Sequence, residues 1–121
     1  MTKQLWNSSE NSLLKCPLPK IEAILGFAAK AGKIVAGEQA VRAKLRQGSV
    51  LLIVLAQDAS GEITRYYSYK SNEMGIPVIC SGTKLELGLA VGKSQRAVIG
   101  IIDRGFAASI LKQVREKAGM D

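Results

Sequence analysis

One stretch decides the fold of this chain: GEQAVRAKLRQG at residues 37–48 runs directly into SVLLIVLA at residues 49–56. The first segment predicts a helix, Glu38–Gln47, with Val41 and Leu45 turned inward and a cationic outer face. The second segment predicts an apolar strand of the kind that is buried on both faces. Such a strand needs helices on both sides of its sheet, so the two segments together predict an α/β/α sandwich.

The N-terminal side of this stretch predicts a helix followed by a short strand. Pro19 suits the first turn of a helix, and apolar residues follow it at the i, i+3, i+4, i+7 spacing of a stripe that faces a sheet. Gly32 ends that helix, Ile34–Ala36 is the short strand, and Gly37 turns the strand into the basic helix. Gly48 closes the basic helix as its left-handed residue. The apolar stripe consists of Ile21, Ile24, Leu25 and Ala28.

On the C-terminal side, helices and strands continue to alternate. Strands are predicted at Ile76–Cys80 and Ala97–Ile102, with helices before, between and after them. The side chains expected to cap these helices are Asp58 or Ser60, Thr83 with Glu86 as a capping box, and Asp103. The apolar positions expected to be buried are Ile63, Tyr66 or Tyr67, Met74, Phe106, Ile110, Leu111 and Val114. The helix that the capping box opens carries Leu85, Leu87 and Leu89. The complete order predicts a three-layer α/β/α sandwich with a mixed central sheet of about four strands and helices on both faces.

The sequence divides into an N-terminal extension and one domain. Residues 1–18 are polar and carry the run NSSENS, so we expect a loosely ordered extension. Its apolar residues available for docking on the domain are Trp6, Leu13 and Leu14. Residues 19–121 form the domain, and a chain of 121 residues is long enough to bury roughly two-thirds of its unfolded surface.

The charge of the chain favours an anionic partner. Seventeen Lys and Arg residues against ten Asp and Glu residues give 17 − 10 = +7. The segment from Lys30 to Arg46 holds one acid, Glu38, and no aromatic residue, so it is not the stacking platform of a single-strand binder. Charge and backbone donors without stacking rings suit folded RNA or a duplex. The basic residues of this segment are Lys30, Lys33, Arg42, Lys44 and Arg46.

The residues of catalysis and of metal binding are not found in the sequence. The chain has no histidine, which excludes Ser–His and Cys–His nucleophile pairs, and its two cysteines do not make the usual tetrahedral zinc site. The run GLAVG at residues 88–92 lacks both the spacing and the preceding strand of a nucleotide-binding fingerprint. Asp58, Glu86 and Asp103 are each explained by a helix start. We therefore expect no enzyme activity, no cofactor, no metal and no small-molecule substrate.

The sequence also predicts where the protein is found. No segment reaches the ~20 apolar residues of a membrane span. Residues 1–20 lack the uninterrupted apolar region of a signal peptide. Cys16 lies in the extension and Cys80 in a predicted strand, which suits two free thiols in a reducing cytosol. We therefore expect a cytoplasmic protein with no membrane partner.

Several short motifs in a fixed order resemble one protein family. The basic helix ends in RQG at residues 46–48, and the apolar strand is followed by QDA at residues 57–59. In the second half, GIPV at 75–78, LELG at 85–88 and VGK at 91–93 keep the same order. This set, which covers about residues 20–115, resembles the ribosomal L7Ae/L30e family of kink-turn RNA-binding proteins. The runs KAGK at 30–33 and DRGFA at 103–107 are most similar to its bacterial YlxQ-type branch.

The resemblance implies a sandwich that grips the bent backbone of a kinked RNA with two surfaces. The first surface is the turn and N-terminus of the second helix, which here means Gly37, Glu38, Gln39 and Arg42. The second surface is the loop before the last strand, which here consists of Val91, Gly92, Lys93, Ser94, Gln95 and Arg96. Gly37 would let RNA approach the backbone, and Lys33, Arg42 and Lys93 would contact phosphates.

The second helix departs from the family's pattern. When the chain is aligned on Gly37 and Gly48, Ala40 and Ala43 stand where family members that bind kink-turns well have an acid or amide and a lysine. The register that keeps Glu38 as the acid places Val41 at the lysine. The departure bears on which RNA is bound more than on whether RNA is bound.

The sequence as a whole predicts a non-catalytic, monomeric RNA-binding protein that is associated with the ribosome and recognises structured, kink-turn-like RNA. The alternative from another class is a protein-interaction adaptor with the same fold, whose positive charge serves an acidic partner. Bound RNA that copurifies with the protein would favour the first interpretation.

Overall fold

A mixed sheet of four strands lies at the centre of the structure, a computed structural model in which residues 18–117 are described. The strands are β1 (Ile34–Ala36), β2 (Leu52–Leu55), β3 (Val78–Cys80) and β4 (Val98–Ile101). Their order in the sheet is β1-β4-β2-β3. Strand β4 pairs antiparallel with both β1 and β2, whereas β2 and β3 are parallel. The predicted mixed sheet is confirmed.

Helices cover both faces of this sheet. They are α1 (Leu18–Lys30), α2 (Glu38–Arg46), α3 (Gly61–Met74), α4 (Lys84–Ala90) and α5 (Arg104–Lys117). Helices α1, α4 and α5 pack into one apolar core, and α2 and α3 pack into another on the opposite face. The predicted three-layer sandwich is therefore confirmed. No helix within residues 18–117 is long and apolar enough to cross a membrane.

Strand β2 supplies side chains to both cores. Leu52 and Val54 belong to the core under α1, α4 and α5, while Ile53 and Leu55 belong to the core under α2 and α3. The alternation follows from the two-residue period of a strand. The strand is shorter than the predicted 49–56 because Ser49 still closes α2, its N–H donating to a carbonyl of that helix.

Three apolar residues of α3 and α4 are exposed, and one of them, Met74, is a residue that we expected to be buried. Leu85 and Leu89 flank Leu87 at intervals of two residues, and on a helix such neighbours lie about 200° apart. Leu87 therefore points into the core, while Leu85 and Leu89 are 52% and 67% exposed. Met74 is 40% exposed because it is the last residue of α3, where the left-handed Gly75 ends the helix. The predicted burial of Met74 is wrong.

Polar side chains cap three of the helices as predicted. Ser60 accepts a hydrogen bond from the first turn of α3, and Asp103 does the same for α5, at 3.1 and 3.0 Å. Thr83 and Glu86 form both bonds of a capping box at α4. Asp58, the other residue predicted as a cap of α3, binds a different helix instead. Its carboxylate accepts from the N–H of the first residue of α4 at 2.8 Å, which ties α4 to the loop after β2.

Tyr67 and Cys80 are the buried polar side chains of the core under α2 and α3. Burial raises the pKa of Tyr67 to about 12, and it also raises the pKa of the Cys80 thiol. The Tyr67 hydroxyl donates to the main-chain oxygen of Glu38 at 3.3 Å. A buried thiol with a raised pKa is a poor nucleophile, as expected for a structural cysteine. Cys16 and the predicted extension lie outside the described residues, except for Leu18, which begins α1.

The raised pKa of Tyr67 predicts that the protein becomes less stable in alkali. The unfolded chain releases this proton near the ordinary value of 10.0, whereas the folded chain holds it to about 12. The free energy of unfolding that this residue contributes is therefore intact below pH 10 and falls as the pH rises towards 12. Urea unfolding at pH 8, 10 and 11 measures the slope. The variant Tyr67→Phe should show a shallower fall, and an equal fall would contradict the assignment.

Candidate nucleic-acid interface

The two surfaces that the resemblance implies meet at one end of the sheet. Strands β1, β2 and β3 all end there, and β4 begins there, as the pairs Ala36↔Ile99 and Leu55↔Val98 show. Helices α2, α3 and α4 therefore all begin at the same edge, which is where α/β sheets commonly bind ligands. A groove of about 600 Å³ opens at this edge. Its lining residues are Ala36, Gly37, Glu38, Gln39, Ala40, Ile63, Lys84, Gln95, Arg96 and Ala97.

The N-terminus of α2 forms one wall of the groove. Gly37, its N-cap residue, has φ 100° and ψ 153°, in a region that L side chains rarely adopt. Unlike Ser60, Thr83 and Asp103, it has no side chain, and none of the described residues caps α2 with a side-chain hydrogen bond. The N–H groups of the first turn are therefore available to an anion.

Arg96 forms the opposite wall. A Cβ added at Gly37 would lie 3.5 Å from both Cδ and Nε of Arg96, so the arginine packs directly against the start of α2. One terminal nitrogen, Nη1, donates to the Ser94 hydroxyl at 2.8 Å and to the Gln95 carbonyl at 2.9 Å. The Arg96 N–H donates to the carbonyl of Lys84 at 3.0 Å. These bonds hold a guanidinium at a fixed place beside uncapped backbone N–H groups.

Gly88 positions the loop that carries Arg96. A Cβ at this residue of α4 would overlap the Ser94 carbonyl oxygen and lie 2.6 Å from its carbon. The Lys93 N–H donates to the Gly88 carbonyl at 2.8 Å. Only a glycine allows the loop to lie this close to the helix. Sequence reasoning missed this role, although a glycine inside a helix is a recognised sign of close packing.

Arg42 does not stand free at the rim of the groove as we expected for a phosphate contact. Its Nη2 donates to the Glu38 carboxylate, and its guanidinium lies 3.9 Å from the centroid of the Tyr66 ring. The hydrogen bond to Glu38 raises the pKa of Arg42. The first-turn acid and the arginine one turn later therefore form a charge-neutral pair.

Two other predicted site residues lie away from the groove. The carbonyl of Lys33 accepts from Ile102 at 3.0 Å, whereas Gly37 donates to Val98 at 2.9 Å, so Lys33 is at the opposite end of the β1–β4 pair. The side chain of Val91 is buried in the core under α1, α4 and α5. Lys33 and Val91 are therefore not among the residues that line the groove.

The remaining predicted residues line the groove or lie in the loop before β4. Gly37, Glu38, Gln39, Gln95 and Arg96 line it. Gly92, Lys93 and Ser94 are exposed in the loop that leads to Gln95. Gly92 lines a separate pocket beside α1 and α4. Lys84 and Ile63 are lining residues that sequence reasoning did not assign to the site, because their elements come together only in three dimensions. Within residues 18–117, no three His, Cys, Asp or Glu side chains are grouped as a metal site.

A match to one protein family covers most of the domain that carries this groove. Residues 19–111 match the family described as ribosomal protein L7Ae/L30e/S12e/Gadd45. The chain belongs to this family. The family resemblance that the ordered motifs of the sequence indicated is therefore confirmed.

Relatives of this L7Ae-family domain cover most of its length. It is 32% identical over 88 residues to the RNA-binding protein YlxQ of Bacillus subtilis, covering 73% of this chain and 88% of the relative. It is 30% identical over 98 residues to the large ribosomal subunit protein eL30 of Aeropyrum pernix, covering 79% and 97%. A solved structure of a Bacillus halodurans protein of unknown function superposes with a TM-score of 0.75 at 34% identity, covering 78% and 96%.

The packing of Gly88 predicts that Gly88→Ala destabilises the protein. Overpacking against backbone costs about 1–3 kcal/mol, more than the roughly 1 kcal/mol that alanine gains over glycine in a helix. Thermal unfolding should show a lower Tm, and amide NMR shifts should change at residues 92–96. Gly61→Ala is the matched control, because its Cβ would meet only the end of the Arg65 side chain. Equal stability of the two variants would contradict the role of Gly88.

Proposed function

We propose that this protein is a non-catalytic RNA-binding protein that holds structured RNA in the groove between α2 and the loop before β4. One observation carries the proposal. Polar side chains cap α3, α4 and α5, whereas α2 begins at a glycine opposite a fixed arginine. A helix start without a cap, facing a guanidinium, is suited to a phosphate oxygen.

The charges and side chains around the groove support a bent RNA backbone as the ligand. Lys84 and Arg96 are the cations of the lining, and the charge of Glu38 is offset by Arg42. No aromatic side chain is among the lining residues, all of which lie in the described part of the chain. Contacts to phosphate and sugar therefore dominate over base stacking.

The family membership supports the same class of ligand. Relatives of this chain include one described as an RNA-binding protein and one described as a protein of the large ribosomal subunit. We infer from this that the protein acts in the cytoplasm, associated with the ribosome, as a monomer. The preferred RNA is kink-turn-like, and it is held without polar side chains at positions 40 and 43. Ala40 lines the groove, and Ala43 is half-buried.

Substitutions at the groove should weaken RNA binding more than they weaken the fold. The double variant Lys93→Ala/Arg96→Ala removes two cations, so the slope of log affinity against log salt should become shallower by roughly 0.7–0.9 for each phosphate that is no longer neutralised. Gly37→Val places a side chain between α2 and Arg96 and should also weaken binding, but it should lower the Tm as well, because valine is strained at φ 100°. Fluorescence anisotropy with a kink-turn RNA, and with a straight duplex of equal length, measures the binding of both variants.

The matched control is Lys112→Ala/Arg115→Ala on α5, which removes the same charge from the other face of the sheet. It should leave affinity for the kink-turn RNA nearly unchanged, and thermal unfolding should move only modestly for both double variants. If the control pair weakens binding as much as the groove pair, only diffuse charge attracts RNA. If the protein binds neither RNA, the proposal fails and the adaptor interpretation takes its place.

A further inference from the structure

A cluster of four side chains joins the rim of the groove to α3. Glu38 lies in the first turn of α2 and Arg42 one turn later, while Tyr66 and Tyr67 lie on α3. The Tyr66 and Tyr67 rings meet edge to face, with centroids 4.9 Å apart and planes at 85°. Tyr67 is fully buried, and its hydroxyl donates to the main-chain oxygen of Glu38. Tyr67 therefore anchors the cluster to the core under α2 and α3.

One edge of the Arg42 guanidinium is engaged inside this cluster, while the side chain as a whole remains 41% exposed. Nη2 donates to the Glu38 carboxylate, and one face of the guanidinium is covered by the Tyr66 ring at 3.9 Å. Nε is buried and has no hydrogen-bond partner among the described residues. Arginine binds a phosphate best with two donors of one edge, and on the edge formed by Nε and Nη2 the first donor is buried and the second is bonded to Glu38. The arginine is therefore placed to hold Glu38 and not to meet RNA.

Glu38 needs such a restraint because of where it stands. A carboxylate in the first turn of a helix is attracted by the dipole and by the uncapped N–H groups. The guanidinium of Arg96, packed against Gly37, adds a second attraction on the groove side. Released from Arg42, the carboxylate would occupy the place that the proposed function gives to phosphate.

We propose that Tyr66 and Arg42 are positioning residues that keep the Glu38 carboxylate out of the anion-binding groove. The Tyr66 ring fixes the guanidinium, and the guanidinium draws the carboxylate back along α2, away from the N-terminus. Arg42 then serves RNA binding without contacting phosphate. The effect on RNA binding rests on the proposed function, whereas the arrangement of Tyr66, Arg42 and Glu38 is present in the protein without RNA.

A rescue experiment distinguishes this role from direct phosphate binding. Arg42→Gln should lower the affinity for the kink-turn RNA by about tenfold, because the freed carboxylate repels the backbone. The double variant Arg42→Gln/Glu38→Gln should recover the affinity of Glu38→Gln and the same salt slope. If the double variant stays weak and its salt slope is shallower by roughly 0.7–0.9, Arg42 contacts a phosphate and the proposal is overturned. Unchanged affinity of Arg42→Gln also overturns it.

Substitutions of the ring test the other half of the proposal. Tyr66→Phe keeps the face that covers the guanidinium and should behave as the natural protein, whereas Tyr66→Leu should weaken RNA binding as Arg42→Gln does. Lys70→Gln is the matched control, because Lys70 lies 6.0 Å from the same ring centroid and pairs with Glu73. It should leave binding close to that of the natural protein. Equal binding by the Leu and Phe variants would show that the ring does not position Arg42.

NMR of the free protein keeps the test independent of RNA. In Arg42→Gln, the carboxylate should move towards the first-turn N–H groups and shift the amide signals of Gln39 and Ala40. The shift should disappear in Arg42→Gln/Glu38→Gln. Its absence from the single variant would overturn the positioning role even if RNA binds. If the shift is present and no RNA binds, the positioning role stands and the proposed function fails.

Discussion

The pairing of β4 with a strand on each of its edges is the constraint on which the rest of the structure depends. Strand β4 pairs antiparallel with β1 on one edge and with β2 on the other. The last strand of the chain therefore lies between two strands that come much earlier in the sequence. Val98 accepts from Gly37 on one side and is paired with Leu55 on the other. This register places the loop before β4 against the start of α2. Without it, the two halves of the groove would not meet.

Three helices begin at this end of the sheet, and they differ in how their first-turn N–H groups are capped. Ser60 and Thr83 satisfy the N–H groups of α3 and α4 with side-chain oxygens. At α2, a glycine leaves those groups free, and Arg96 stands opposite. A glycine at the N-cap costs only about a few tenths of a kcal/mol relative to a capping side chain, so α2 gives up little stability by leaving these N–H groups to a ligand.

Close approach of backbone controls the other side of the groove. Gly88 allows the loop before β4 to pack on α4, and the Lys93 N–H then bonds to its carbonyl. Arg96 is tied to the same loop through Ser94 and Gln95. The arginine is thus held by its own loop, and the loop is held by a helix. A site built this way gives up little side-chain freedom when an anion binds.

The sequence by itself determined the order of helices and strands, the layers, the caps and the family, because periodicity, caps and ordered motifs are local. The burial of Met74 was misjudged because apolar character alone does not say whether the last residue of a helix meets the core. The i, i+4 spacing of Glu38 and Arg42 is visible in the sequence. Only the tertiary structure decided that Tyr66 binds this arginine, that Gly88 carries the loop, and that Lys33 lies at the other end of β1 from the groove. Those facts depend on elements distant in sequence whose positions are set by the pairing of β4.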